Sequence, residues 1–240
     1  MDTTAYVALS RMDVLQRRMN MVASNLANLT TNGYRAEALR FGQFLEGTDN
    51  GPDVSFVSPQ ESYRDYSEGP IEVTENAFDF AISGDGFFSV LTPSGVRYTR
   101  DGHFELNEVG EIVSSGGFPL VDDGGAPIVV PQGGRDIVVA EDGTITSDGA
   151  VLGRLTTSQF GSPQELIFEG GGLFMSQQGP IITGESKIIQ GALERSNVQP
   201  LLEITRMMET VRAFEGTQRL IDVDNDMERK VIERALDLRG

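Results

Sequence analysis

Ala5, Ala8, Met12, Leu15, Met19, Val22, Leu26 and Leu29 step by threes and fours without a break, the spacing that lays an apolar seam along one side of a helix. Near the other end Ile204, Met207, Val211, Phe214, Gln218 and Ile221 repeat it. One helix cannot bury such a seam alone. The two termini are therefore expected to be partners of each other or of other copies, not pieces of a domain core. Glycine marks off the same ends: residues 1–32 contain none, residues 192–240 contain only Gly216 and Gly240, and the other 26 lie between. The ends are free to be helical and the middle is not.

Charge divides the chain at the same places. Residues 1–40 carry five bases and three acids, and residues 192–240 carry eight bases and ten acids, so the ends sum to zero. The whole net charge of -17 falls on residues 41–191, with 23 acids against six bases. That middle suits a solvated exterior and disfavours binding to nucleic acid or to an anionic membrane. Near-neutral ends can pack without such repulsion. No apolar run approaches the roughly 20 residues that span a bilayer, Arg11, Asp13, Arg17 and Arg18 interrupt the first segment, and a cleavable secretory signal is not expected. The absence of cysteine excludes disulfides and thiolate chemistry and leaves an oxidising compartment open.

Along the chain, a first helix is expected from about Asp2–Thr4 to Leu29, stopped at Thr30–Gly33 where Asn25, Asn28 and Asn32 cluster. From Phe41 to Pro70 the sequence is polar and reads as a connector with extended pieces. From Ile71 the period becomes two: Phe78, Phe80 and Ile82 alternate, and Gly84-Asp85-Gly86 before Phe87-Phe88 reads as a tight hairpin. Turn signals follow at short intervals to Asp148-Gly149, with further strands expected at 151–156, 166–169, 173–175 and 187–190. Helical spacing returns after Ser196-Asn197. The fold class is thus α+β: N- and C-terminal heptad helices, as coiled-coil assembly segments, flank a central Gly-rich all-β domain. The expected divisions are 1–33, 34–70, 71–191 and 192–240.

Chemistry finds little purchase. Gly-Asp-Gly-Phe-Phe lacks the lysine and the glycine spacing of a phosphate loop. His103 is the only histidine, no Gly-x-Ser-x-Gly occurs, and Asp222, Asp224, Asp226 and Glu233 have Met227 where a calcium loop needs glycine. No catalytic residue, metal or cofactor is expected. A carboxylate pair of glycosidase type stays open in so acidic a middle, though no pair is singled out. A β-rich binding module oligomerised by its helices is a further alternative.

Four blocks together resemble the axial proteins of the bacterial flagellum that build rod and hook. They are Ala23-Ser24-Asn25-Leu26-Ala27-Asn28 with Thr31, Gly33 and Tyr34; Phe80 to Phe88; Tyr98-Thr99-Arg100-Asp101-Gly102-His103-Phe104 with Gly110, Ile112 and Val113; and Leu193-Glu194-Arg195-Ser196-Asn197-Val198 with Met208, Arg212, Phe214 and Glu215. Tyr6-Val7-Ala8-Leu9-Ser10, Asn107 where members commonly have Asp, and Val211-Arg212-Ala213-Phe214 are most similar to proximal rod members; distal rod and hook members are the alternative. The resemblance implies a non-catalytic subunit that copolymerises with other rod proteins and with copies of itself in a helical array. It also implies passage through the flagellum's type III export apparatus, a basal-body location in the periplasm after export, and no direct membrane insertion. It places the assembly interface at Leu15, Met19, Val22, Asn25, Leu26, Asn28, Leu29, Thr31, Gly33, Tyr34, Ser196, Asn197, Val198, Ile204, Met208, Val211, Phe214 and Ile221. The β-domain motif is Gly84, Gly86, Phe87, Phe88, Thr99, Arg100, Gly102, Phe104 and Gly110. Because terminal seams without partners gain little helical stability, folding and polymerisation are expected to be coupled.

Overall fold

The computed structural model describes residues 3–46, 54–131, 137–180, 182–183 and 186–237. Two compact units are formed by interleaved segments, the first from Met1–Ala27, Glu37–Asp65 and Gln199–Gly240, the second from Asn28–Ala36 and Tyr66–Val198.

In the first unit two helices, α1 (Thr3–Ala27) and α2 (Pro200–Asp237), pack on each other. Proline opens α2 where its missing N–H costs nothing, and Glu203 and Arg234 complement the dipole at the two ends. Val14, Leu15, Met21, Val22 and Asn25 are the buried face of α1. On α2 the buried line is Glu203, Thr210 and Thr217, one residue every two turns. The threonine hydroxyls bond their own helix, Thr210 to the Arg206 carbonyl at 2.6 Å and Thr217 to the Ala213 carbonyl at 3.0 Å, so these narrow side chains are buried with their polar atoms satisfied. The segment read as a connector holds two long antiparallel strands, β1 (Glu37–Glu46) and β2 (Val54–Arg64), which pack on α1. A two-stranded ribbon is marginal by itself and needs such a backing.

The second unit is built of short strands: β3 (Ile71–Val73), β4 (Phe80–Ser83), β5 (Phe88–Thr92), β6 (Gly95–Thr99), β7 (Phe104–Leu106), β8 (Ile112–Ser114), β9 (Ile137–Val139), β10 (Thr144–Ser147), β11 (Ala150–Arg154), β12 (Ser158–Gln159), β13 (Ile167–Gly170), β14 (Leu173–Met175), β15 (Ile182–Thr183), β16 (Lys187–Gln190) and β17 (Ala192–Glu194). Most ladders join near neighbours, but β3 pairs with β17 and β4 with β16, so the end of the unit returns to its beginning. The main core gathers Phe80, Ile82, Phe88, Val90, Phe104, Ile112, Leu120 and others; a second cluster holds Phe87, Tyr98, Leu166 and Phe174. Phe87 and Phe88 thus serve different clusters.

One expectation is corrected here. Gly84-Asp85-Gly86 is not the turn of a hairpin, because β4 pairs with β16 and β5 with β6. Gly84 and Gly86 both take positive φ and pass the chain from one ladder to another. Local turn chemistry is the same in both cases; the difference lies in a strand more than a hundred residues away. Gly102 is fixed by contact instead of φ, since a Cβ there would lie 1.7 Å from the Phe80 carbonyl oxygen.

Candidate assembly site

In the first unit, Leu15 and Val22 are buried, Met19 and Leu26 are half-buried, and Asn25 is fully buried. Asn25 does more than end a helix: its Nδ2 donates to the Glu37 carbonyl at 2.8 Å and its Oδ1 accepts the Glu37 N–H at 2.9 Å. One amide therefore satisfies both main-chain groups at the start of β1 and pins that strand to α1. On α2, Val211, Phe214 and Ile221 are half-buried, whereas Ile204 and Met208 are exposed. With Leu201, 79% exposed, they form one open apolar patch; Leu220, 64% exposed, Val223 and Met227 form a second patch farther along the helix. The acidic residues Asp222, Asp224 and Asp226 lie on the same helix and make no metal cluster among the described residues.

In the second unit the sequence blocks converge on Glu194. Its side chain and that of Arg35 are each 1% exposed, and Arg35 Nη1 lies 2.7 Å from Oε1. Arg100 Nη1 meets Oε2 at 2.9 Å, and the Gly69 N–H donates to Oε1 at 2.8 Å. The Glu194 carbonyl accepts the Gly33 N–H at 2.8 Å. Arg35 also donates to the Ser67 carbonyl. Arg100 also donates from Nη1 to the Ile82 carbonyl at 3.2 Å and from Nη2 to the Gly84 carbonyl at 2.6 Å, its buried Nε has no hydrogen-bond partner among the described residues, and its Cζ stands 5.5 Å from the centre of the Phe87 ring. Burial pulls the Arg100 guanidinium below its ordinary value and Glu194 pulls it back up; arginine stays charged throughout. Gly33 has φ of 63°, and a Cβ there would come within 2.4 Å of the Arg100 main chain.

Around this centre Asn197 ties three segments, accepting the Ala36 N–H at 2.7 Å, donating to the Ser67 carbonyl at 3.0 Å and giving its own N–H to Tyr34 at 3.3 Å. Asn28 accepts from Thr31 Oγ1 at 3.0 Å, and Ser196 Oγ accepts the Val198 N–H at 3.3 Å. Tyr34 and Val198 are buried, and Leu29 is half-buried. In the motif, Thr99 Oγ1 receives the Asp101 N–H at 3.0 Å, Phe104 is in the main core, and Gly110, at φ 86°, passes 2.4 Å from the Val130 carbonyl by its would-be Cβ. Periodicity could not single out Arg35 or Gly69, which lie in no pattern. A glutamate between Leu193 and Arg195 carries no mark of burial either.

Comparison with known proteins follows the same three stretches. Residues 6–35 match the family described as flagella basal body rod protein, 81–147 the flagellar hook protein FlgE/F/G D1 domain, and 189–234 the flagellar basal body rod FlgEFG protein C-terminal region. The flagellar basal-body rod protein FlgF of Mesorhizobium japonicum is 37% identical over 224 residues, covering 92% of each chain. This chain belongs to the flagellar basal-body rod family. FlgF of Caulobacter vibrioides is 34% identical over 98% of both chains, and the rod protein FlgG of Buchnera aphidicola from Acyrthosiphon pisum is 28% identical over 94% of this chain and 97% of its own. As a member of the rod family the chain is a structural subunit of the rod, and the Glu194 centre is the point at which the family's separate stretches meet within one unit.

Proposed function

We propose that this rod subunit polymerises through its terminal helices. The supporting observation is two open apolar patches on α2, one of Leu201, Ile204 and Met208 and one of Leu220, Val223 and Met227, on a helix whose buried line of Glu203, Thr210 and Thr217 is already occupied. Two such patches on a near-neutral segment offer apolar surface to neighbouring helices. The same patches meeting a non-identical surface on the next copy give an open helical array, which a rod requires and a self-complementary dimer would prevent. Other rod proteins and further copies of this chain are the partners, and the terminal seams with Asn28, Thr31, Tyr34 and Asn197 form the assembly segments.

The proximal rod is the position favoured by the higher identity to FlgF chains than to FlgG. Passage through the type III export apparatus to the periplasm and a role without catalysis complete the reading. No helix of the described residues is long and apolar enough to cross a membrane. Deleting the chromosomal copy in a flagellated host and imaging basal bodies by electron cryotomography tests it. The expected result is a rod truncated near its base, rescued by the full chain and not by one lacking residues 1–34. Complete rods and normal swimming would overturn it.

A further inference from the structure

The second unit closes from the end of its own sequence. Its apolar core is nearly assembled without the last strands, since Ile188 is the cluster's one buried member beyond Leu155. What the earlier residues lack is different. Strand β4 has its ladder only with β16, and β3 only with β17, among the described residues. Arg100, 3% exposed in its side chain, has its closest anion in Glu194, 94 positions later, and Arg35 pairs with the same carboxylate. A guanidinium buried without a paired carboxylate costs an amount comparable with the net stability of a domain, so apolar collapse of 66–186 leaves Arg100 without its buried ion-pair partner, with the exposed Glu68 as the nearby charge that segment supplies.

We propose that Glu194 is a closing charge: the second unit holds no fixed fold until residues 187–198 dock, and that single event seats β4, β3, Arg100 and Arg35 together. The device makes tertiary structure wait for the end of the unit while its hairpins form locally. It does not depend on the assembly reading, because every group in it lies inside one unit of one chain.

Chains of increasing length, stalled on the ribosome by a tension-sensitive arrest peptide, test the order. Release of the arrest is expected only when residue 198 has cleared the exit tunnel; release with no more than residue 186 exposed overturns the proposal. Glu194→Lys is expected to abolish release. Because that variant can fail to fold for trivial reasons, the triple Arg35→Met, Arg100→Met, Glu194→Leu, which keeps bulk and removes charge, is expected to restore it; continued absence overturns the role of charge. In the purified full chain, Glu194→Gln is expected to reduce amide protection at 33–35, 80–84 and 98–100 together. A loss confined to 192–196 would show an ordinary local contact and overturn the proposal.

Discussion

Asn25 shows how much one side chain can carry. Its amide meets both main-chain groups of Glu37, and removing it leaves a half-buried donor and acceptor without their partner, which costs about 1 kcal/mol. Asn25→Ala should lower the unfolding free energy of the full chain by that amount, moving the urea midpoint followed by circular dichroism toward lower denaturant; an unchanged midpoint would mean that β1 is held otherwise. Glycine gives a paired comparison. Gly33→Ala and Gly117→Ala both force alanine to positive φ, costing about 1–2 kcal/mol, but only Gly33 faces the Arg100 main chain, whereas nothing stands within 4 Å of Gly117. Melting temperature should fall much further for Gly33→Ala. His103 supplies the pH dependence. Its Nδ1 sits 2.7 Å from Asp79 Oδ1, and that hydrogen bond, with the nearby Asp101 and Glu105 charges, raises the imidazole above its ordinary 6.5. A raised folded value means stabilisation that is full below 6.5 and is lost as pH rises through the folded value. The ring is partly exposed, so the effect is small. Titration of this single histidine by NMR should give a value above 6.5, and His103→Gln should flatten the decline of stability above it. Asn25 and Gly33 were visible in the sequence as a helix end; their actual partners, a strand start and an arginine backbone, were not, because the first lies across a change of chain direction and the second far along the chain.

At the scale of elements, the two helices and the strands at 173–175 and 187–190 were legible because period and turn residues are local properties. The pairing of those strands was not. β1 and β2 read only as extended pieces of a polar connector because their turn-rich surroundings carry no clean alternation, and the 84–86 turn read as a hairpin because its true partner strand is remote. The seam on α2 was legible as apolar but not as divided: Thr210 and Thr217 are buried, while Ile204 and Met208 are open. Substitutions on the open side should therefore separate folding from assembly. Met208→Glu and Leu220→Glu should leave the monomer's unfolding free energy within about 0.5 kcal/mol, as exposed positions usually do, and abolish incorporation into rods in the complementation assay. Loss of folding in both variants would place those patches inside the protomer.

For the whole molecule the governing quantity is where the charge lies. All of the net -17 resides between residues 41 and 191, so any array that brings copies together through neutral ends also brings acidic regions alongside one another. Their repulsion is long-ranged at low salt and is screened over about 8 Å at physiological ionic strength. The critical concentration for polymerisation should accordingly fall as sodium chloride rises from low to physiological levels, measured by light scattering; a rise would mean that attraction between opposite charges, not apolar burial, drives the contact. The unequal lengths of the helices bear on mechanics. With 25 residues in α1 and 38 in α2, the second reaches about 20 Å farther than the first. In the proposed array, a neighbour seated along the longer helix would overlap the end of α1, as boards are lapped in a hull. A turning load in such an array would pass through the sides of the helices where they overlap, and not only through their ends.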